Sequence, residues 1–130
     1  MRTYGRLDGA FNNAAIPGTG KRLHEVSFAE WQRCNPINLG GTFLCLKYEI
    51  EQMLKSGGGA IVNTSSTAGL VYVPLTAEYS ASKHGVSGIT KAVASDYGHD
   101  NIRVNAIAPA AVRTAMYAKF AATNPRFEEQ

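Results

Sequence analysis

Gly59-Ala60-Ile61-Val62-Asn63-Thr64-Ser65, read together with the segment 66–108, decides the fold. Ala60, Ile61 and Val62 form a short apolar run between breaker-rich segments, the form of a buried strand. From about Thr76 to Tyr97 the period changes, and Val86, Ile89, Val93 and Tyr97 recur at helical spacing. Gly98-His99-Asp100-Asn101 is a turn, and a further strand over 102–108 is ended by Pro109. Strand, long helix, strand is a βαβ unit, which places its two strands parallel in one sheet.

The same pattern precedes it. A short strand is expected over 7–12, closed by Asn12-Asn13, and Ile16-Pro17-Gly18-Thr19-Gly20 is a loop. Ser27 and Glu30 have the spacing of a capping box. Trp31, Cys34, Ile37 and Leu39 begin an apolar stripe that Phe43, Leu44, Leu46, Ile50, Met53 and Leu54 carry to Lys55, where Gly57-Gly58-Gly59 stops the helix. Pro36 should kink or open that helix. The expectation is an α/β fold of about three parallel strands and two long helices, with residues 1–130 as one domain. Parallel sheets are usually covered on both faces, and two helices are few for that. The chain therefore reads as part of a larger domain.

Composition sets outer bounds. At 130 residues, 45% hydrophobic and 18% charged, the chain is too apolar for disorder. A net charge of +3 is too small to point to nucleic acid or a membrane surface. No apolar run of about 18 residues exists, and no apolar core follows the first charges, so neither a span nor a signal peptide is expected. Cys34 and Cys45 are not a disulfide framework, and His24, His84 and His99 lack ligand spacing, so no metal is expected. The expected setting is cytoplasmic.

Chemistry gathers at the strand ends. Tyr79 and Lys83 are four residues apart, hence on one helix face. A nearby ammonium favours the phenolate, so Lys83 is expected to lower the Tyr79 pKa from about 10 and make an acid/base pair. The plain alternative is a surface pair with the Lys stem covering the ring. Ser66 lies 13 residues before Tyr79, just past the second strand. Asn12-Asn13 ends the first strand, and 109–114 follows the third. Ligands of parallel sheets bind outside the carboxyl ends of the strands.

These segments resemble, in order, five motifs of the short-chain dehydrogenase/reductase family. They are Asn12-Asn13-Ala14-Ala15; Asn38-Leu39-Gly40-Gly41-Thr42-Phe43; the strand 59–66 ending at Ser66; Tyr79-Ser80-Ala81-Ser82-Lys83; and 102–109 with Thr114. The resemblance implies a partial doubly wound, Rossmann-type sheet. It further implies an NAD- or NADP-dependent oxidoreductase interconverting an alcohol and a ketone or aldehyde. Tyr79 would be the general acid/base, Lys83 would support it and bond the cofactor ribose, and Ser66 would orient the substrate oxygen. Asn38 would hold a relay water through its backbone. Asn12, Asn13 and Ala14 would line the cofactor, and Pro109, Val112 and Thr114 would position the nicotinamide. Homo-oligomers would form through the two long helices, with a small-molecule alcohol or carbonyl compound as substrate.

The sequence departs from that pattern. The family's Thr-Gly-x-x-x-Gly-x-Gly phosphate loop is not in it, and Gly18-Thr19-Gly20 follows the wrong strand. The strands present match the last three of the order 3-2-1-4-5-6. A second expectation therefore stands beside the first, an inactive fragment or a helix-mediated interaction module. Ala15 and Ala110 replace glycines, acceptable where φ is negative.

Overall fold

The computed structural model describes residues 3–123, so the polar tail expected over 124–130 lies outside the described residues. The three expected strands are β1 (Gly9–Asn12), β2 (Gly59–Thr64) and β3 (Ile102–Ile107), each slightly shorter than its apolar run. They form one open parallel sheet in the order β1-β2-β3. Register places Ala10, Ile61 and Val104 side by side, and Phe11, Val62 and Asn105 side by side on the opposite face.

The two faces have different fates. Ile61, Ile102 and Val104 pack against Leu46, Ile50 and Met53 of α2 (Gly41–Ser56), with Ile89, Val93 and Tyr97 of α3 (Ala77–Tyr97) at the margin. Both long helices therefore lie on one side. On the other side Phe11 is 60% exposed and Ile107 45%. The shortage of helices expected from the sequence falls entirely on that face.

The first helical stretch is divided. α1 (Phe28–Asn35) leads into a wide π-type turn over Pro36–Gly40, and α2 continues from Gly41. Pro36 has no N–H to donate, and its carbonyl accepts from Gly41 N–H, five residues on. The extra residue shifts the inward face onto Cys34, Asn38, Thr42, Leu46, Ile50 and Met53. This corrects the continuous apolar stripe: Phe28, Trp31, Ile37, Phe43, Leu44 and Leu54 stay exposed. Gly57 (φ 85°) and Gly58 (φ 123°) then turn the chain into β2, and a Cβ on Gly58 would collide with the Asn101 carbonyl.

The capping box closes α1 as the spacing predicts. Glu30 N–H donates to Ser27 Oγ at 3.2 Å, and Ser27 N–H donates to Glu30 Oε2 at 2.8 Å. Lys21 Nζ bonds Glu30 Oε1 at 2.6 Å. That bond, with the two from Ser27, lowers the Glu30 carboxyl from 4.5 to about 2. A depressed carboxylate contributes stability that is present above its unfolded pKa and lost as pH falls through its folded one. The expected result is a fall in stability between pH 4.5 and about 2 that Glu30→Gln abolishes, read from denaturant midpoints across that window.

Candidate active site

The carboxyl ends of the three strands open into one cleft of about 520 Å³. Asn13 and Ala14 line it from the first strand end, and Ser66, Tyr79 and Lys83 from the middle. Pro109, Val112 and Thr114 line it from the third. The loops behind β2 and β3 are laced by Ser65 N–H to the Ile107 carbonyl (2.8 Å) and Thr67 N–H to the Pro109 carbonyl (3.0 Å). Thr114 Oγ1 accepts from Tyr117 N–H at 3.2 Å, starting α4 (Ala115–Thr123), whose Met116 and Tyr117 complete the rim. Ala15 and Ala110 are not among the positive-φ residues, so the replaced glycines are conformationally harmless.

Tyr79 and Lys83 sit in the first two turns of α3. Lys83 is 2% exposed, which removes the surface-pair alternative. Its Nζ donates to the Thr64 carbonyl at 2.7 Å and lies 5.7 Å from the centre of the Tyr79 ring. Burial lowers the Lys83 pKa. Burial also raises the Tyr79 pKa; the neighbouring Ser66 hydroxyl pulls the other way but does not prevail. The expected lowering by Lys83 is thus corrected: the ammonium bonds a carbonyl, and desolvation of the phenol dominates.

Ser66 begins a short 3-10 turn, Thr67–Gly69, and its Oγ also accepts from Ala68 N–H at 3.2 Å. A Cβ on Gly69 would press into Ser65 Oγ and the Lys83 backbone, so this turn and α3 can meet only across a bare glycine.

Two predicted residues stand outside the cleft lining. Asn12 turns toward the helices, donating to Glu49 Oε2 and Asn63 Oδ1, both at 3.0 Å. Strand alternation explains it: Asn12 shares the face of Ala10, and only at Asn13 does the chain reach the cleft. Asn38, 1% exposed, lies behind the cleft. Its Oδ1 accepts from Ile16 N–H (2.8 Å), and its Nδ2 donates to the Ile16 carbonyl (3.0 Å) and Ser82 Oγ (3.1 Å). Its own carbonyl accepts from Thr42 Oγ1 at 2.8 Å. Ser82 Oγ donates to the Tyr79 carbonyl at 2.7 Å, linking Asn38 to the helix of Tyr79. Sequence reasoning overlooked Ser82, Thr64 and Glu78. Glu78 alone left a signal, an acidic residue in the first turn of a helix.

The short chain dehydrogenase family profile matches residues 1–125. The chain belongs to the short-chain dehydrogenase family. It is 53% identical over 117 residues to a 2,5-dichloro-2,5-cyclohexadiene-1,4-diol dehydrogenase of Sphingobium indicum, a match covering 89% of this chain and 47% of that protein. It is 43% identical to a cyclohexanol dehydrogenase of Acinetobacter sp. over 120 residues, 92% of this chain and 48% of that one. The structure of a Mycobacterium avium carveol dehydrogenase in complex with NAD superposes with a TM-score of 0.87 at 39% identity, covering 94% of this chain and 46% of that one. The chain thus spans about half the length of these short-chain dehydrogenases. Among the described residues no helix is long and apolar enough to cross a membrane.

Proposed function

We infer that this chain forms the acid–base wall of an NAD- or NADP-dependent oxidoreductase, the carboxyl-terminal part of a Rossmann domain. Its substrate is a secondary alcohol on a six-membered carbocycle, or the corresponding ketone. One observation carries the reading: Tyr79, Ser66 and the buried Lys83 line one cleft at the strand ends of a parallel sheet, with the Lys83 ammonium 5.7 Å from the centre of the Tyr79 ring. The dichlorocyclohexadiene-diol and cyclohexanol named for two relatives supply the ring. Val73, Val112, Met116 and Tyr117 offer it an apolar wall.

A bound nicotinamide supplies the hydride donor or acceptor. The residues fit its ribose end. Thr64 Oγ1 is buried in the cleft without a protein partner among the described residues, and Lys83 Nζ has donors left after its bond to the Thr64 carbonyl. Asn13, Ala14, Pro109, Val112 and Thr114 form the remaining lining proposed for the cofactor. Ser66 holds the substrate oxygen against Tyr79, and Tyr79 gives or takes its proton. Asn38 serves from behind by holding Ile16 and Ser82. The exposed Phe28, Phe43, Leu44, Tyr48 and Leu54 of α1 and α2 suit pairing with a second copy. The unpaired Cys34 and Cys45 suit a reducing, cytoplasmic setting.

The bare sheet face, with Phe11 60% exposed, favours a second reading, an interaction module derived from such an enzyme. Isothermal titration of residues 1–130 with NADH and with NADPH, on a sample shown folded by circular dichroism, separates the two. Micromolar binding is expected. A folded sample that binds neither rejects the enzyme reading for this chain in favour of the module.

A further inference from the structure

Behind Tyr79 lies a buried carboxylate that the proposed chemistry does not use. Glu78 is 0% exposed, in the first turn of α3. Its Oε1 accepts from Thr19 N–H at 2.5 Å. Among the described residues its Oε2 has no partner, nor does the buried Thr19 Oγ1 on the same loop residue. A carboxylate here gains from the amino-terminal end of the helix dipole, but full burial with an empty oxygen is expensive. Such a group persists where it holds something in place.

What it holds is the loop over 16–20. Asn38 grips one end of that loop by both backbone groups of Ile16. Glu78 grips the other through Thr19. Gly18 between them is pressed into the angle of the two helix residues: a Cβ there would lie 3.1 Å from Glu78 Oε1 and 3.1 Å from Tyr79 Cβ. Pro17 and Gly18 of the same loop line the cleft with Tyr79. The loop is thus a cover over the base of the Tyr79 side chain, and the α3 side chain that anchors it belongs to the residue immediately before Tyr79.

We propose that Glu78 is a positioning residue, a latch that clamps the 16–20 loop across Tyr79 and keeps water from that side of the phenol. Its consequence for catalysis rests on the oxidoreductase reading above; the latch itself does not.

The test uses the full chain without cofactor, so a failure of the enzyme reading leaves its outcome intact. Hydrogen exchange is followed at Thr19 and over 16–20. The Tyr79 ionisation is taken from the ultraviolet difference against Tyr79→Phe. Glu78→Asp keeps the charge but withdraws it by one methylene, and Glu78→Ala removes it. Both should speed exchange over 16–20 by about tenfold or more, the loss of one charge-assisted bond. Both should bring the Tyr79 midpoint down toward its ordinary value as water enters. Glu78→Gln still presents a carbonyl oxygen to Thr19 N–H, without the charge, and should stay closer to wild type than Glu78→Asp in both readouts. Should Glu78→Ala fail to fold, the Asp and Gln pair decides. The latch is overturned if Glu78→Asp leaves Thr19 exchange unchanged, or if Gln and Asp behave alike. It is equally overturned if the loop is freed while the Tyr79 midpoint stays put, which is how a purely structural carboxylate would behave.

Discussion

Tyr79→Phe is expected to lower turnover of a cyclohexanol-type substrate by about 10²–10⁴-fold, the range of a positioned general acid or base. Dinucleotide affinity and the circular dichroism spectrum should stay at wild-type values. The separation is sharp because the substitution deletes one oxygen from a side chain anchored in α3, with Gly18 of the loop over 16–20 packed against its base. What goes with it is the influence of the phenol on the neighbouring Ser66 hydroxyl. Each tenfold loss corresponds to about 1.4 kcal/mol of the barrier, so the effect lies well outside what one neutral hydrogen bond contributes to stability, about 0.5–1.5 kcal/mol. Steady-state assay of the parent and the variant with NAD and NADP is the measurement. A Phe variant within tenfold of the parent would remove Tyr79 from the proton path.

Asn38→Leu has the largest expected effect on the fold itself. The two side chains are close in size, so the change is one of chemistry rather than volume. It strips the Ile16 N–H and carbonyl of their side-chain partner and removes a donor from Ser82 Oγ. A buried group left unsatisfied costs about 1–3 kcal/mol, so the loss should be several such increments rather than one. Thr42→Val, which deletes only the bond to the Asn38 carbonyl, should cost about 1 kcal/mol. Denaturant midpoints for the pair read the difference directly. If the two variants are destabilised equally, Asn38 does not hold the loop.

The features of the fold that depend on local pattern were legible. Ala60-Ile61-Val62 between breakers reads as β2, Val86, Ile89 and Val93 as one face of α3, and Ser27 with Glu30 as the start of α1. Pro36 announced a break in the helix, though not that the break would be a wide turn. What could not be read was set by tertiary context. Nothing local says that both helices take the same side of the sheet. Nothing local tells Asn12, bonded under α2, from Asn13, one residue on and in the cleft. The sign of the Tyr79 shift was missed for the same reason: spacing shows that Lys83 is near, but only the packed structure shows how dry the phenol is and that the ammonium is turned to Thr64. Glu78 looked like an ordinary acidic residue at a helix start until its burial was visible.

The strand order follows the chain, and that bears on how the molecule assembles. Each strand pairs with its neighbour in sequence, so each pairing closes a single crossover. The crossover from β2 to β3 is shorter than that from β1 to β2, and its ladder pairs six residues against four. The shorter closure loses less chain entropy and gains more on completion. β2, α3 and β3 therefore condense first, carrying Ser66, Tyr79 and Lys83 together as a preassembled half. β1 arrives last and brings Asn13 and the covering loop with it. In a hydrogen-exchange folding pulse, protection should appear over 59–64 and 102–107 before 9–12, and the Ser66 and Tyr79 hydroxyls would be in their relative places before the cleft has its other wall.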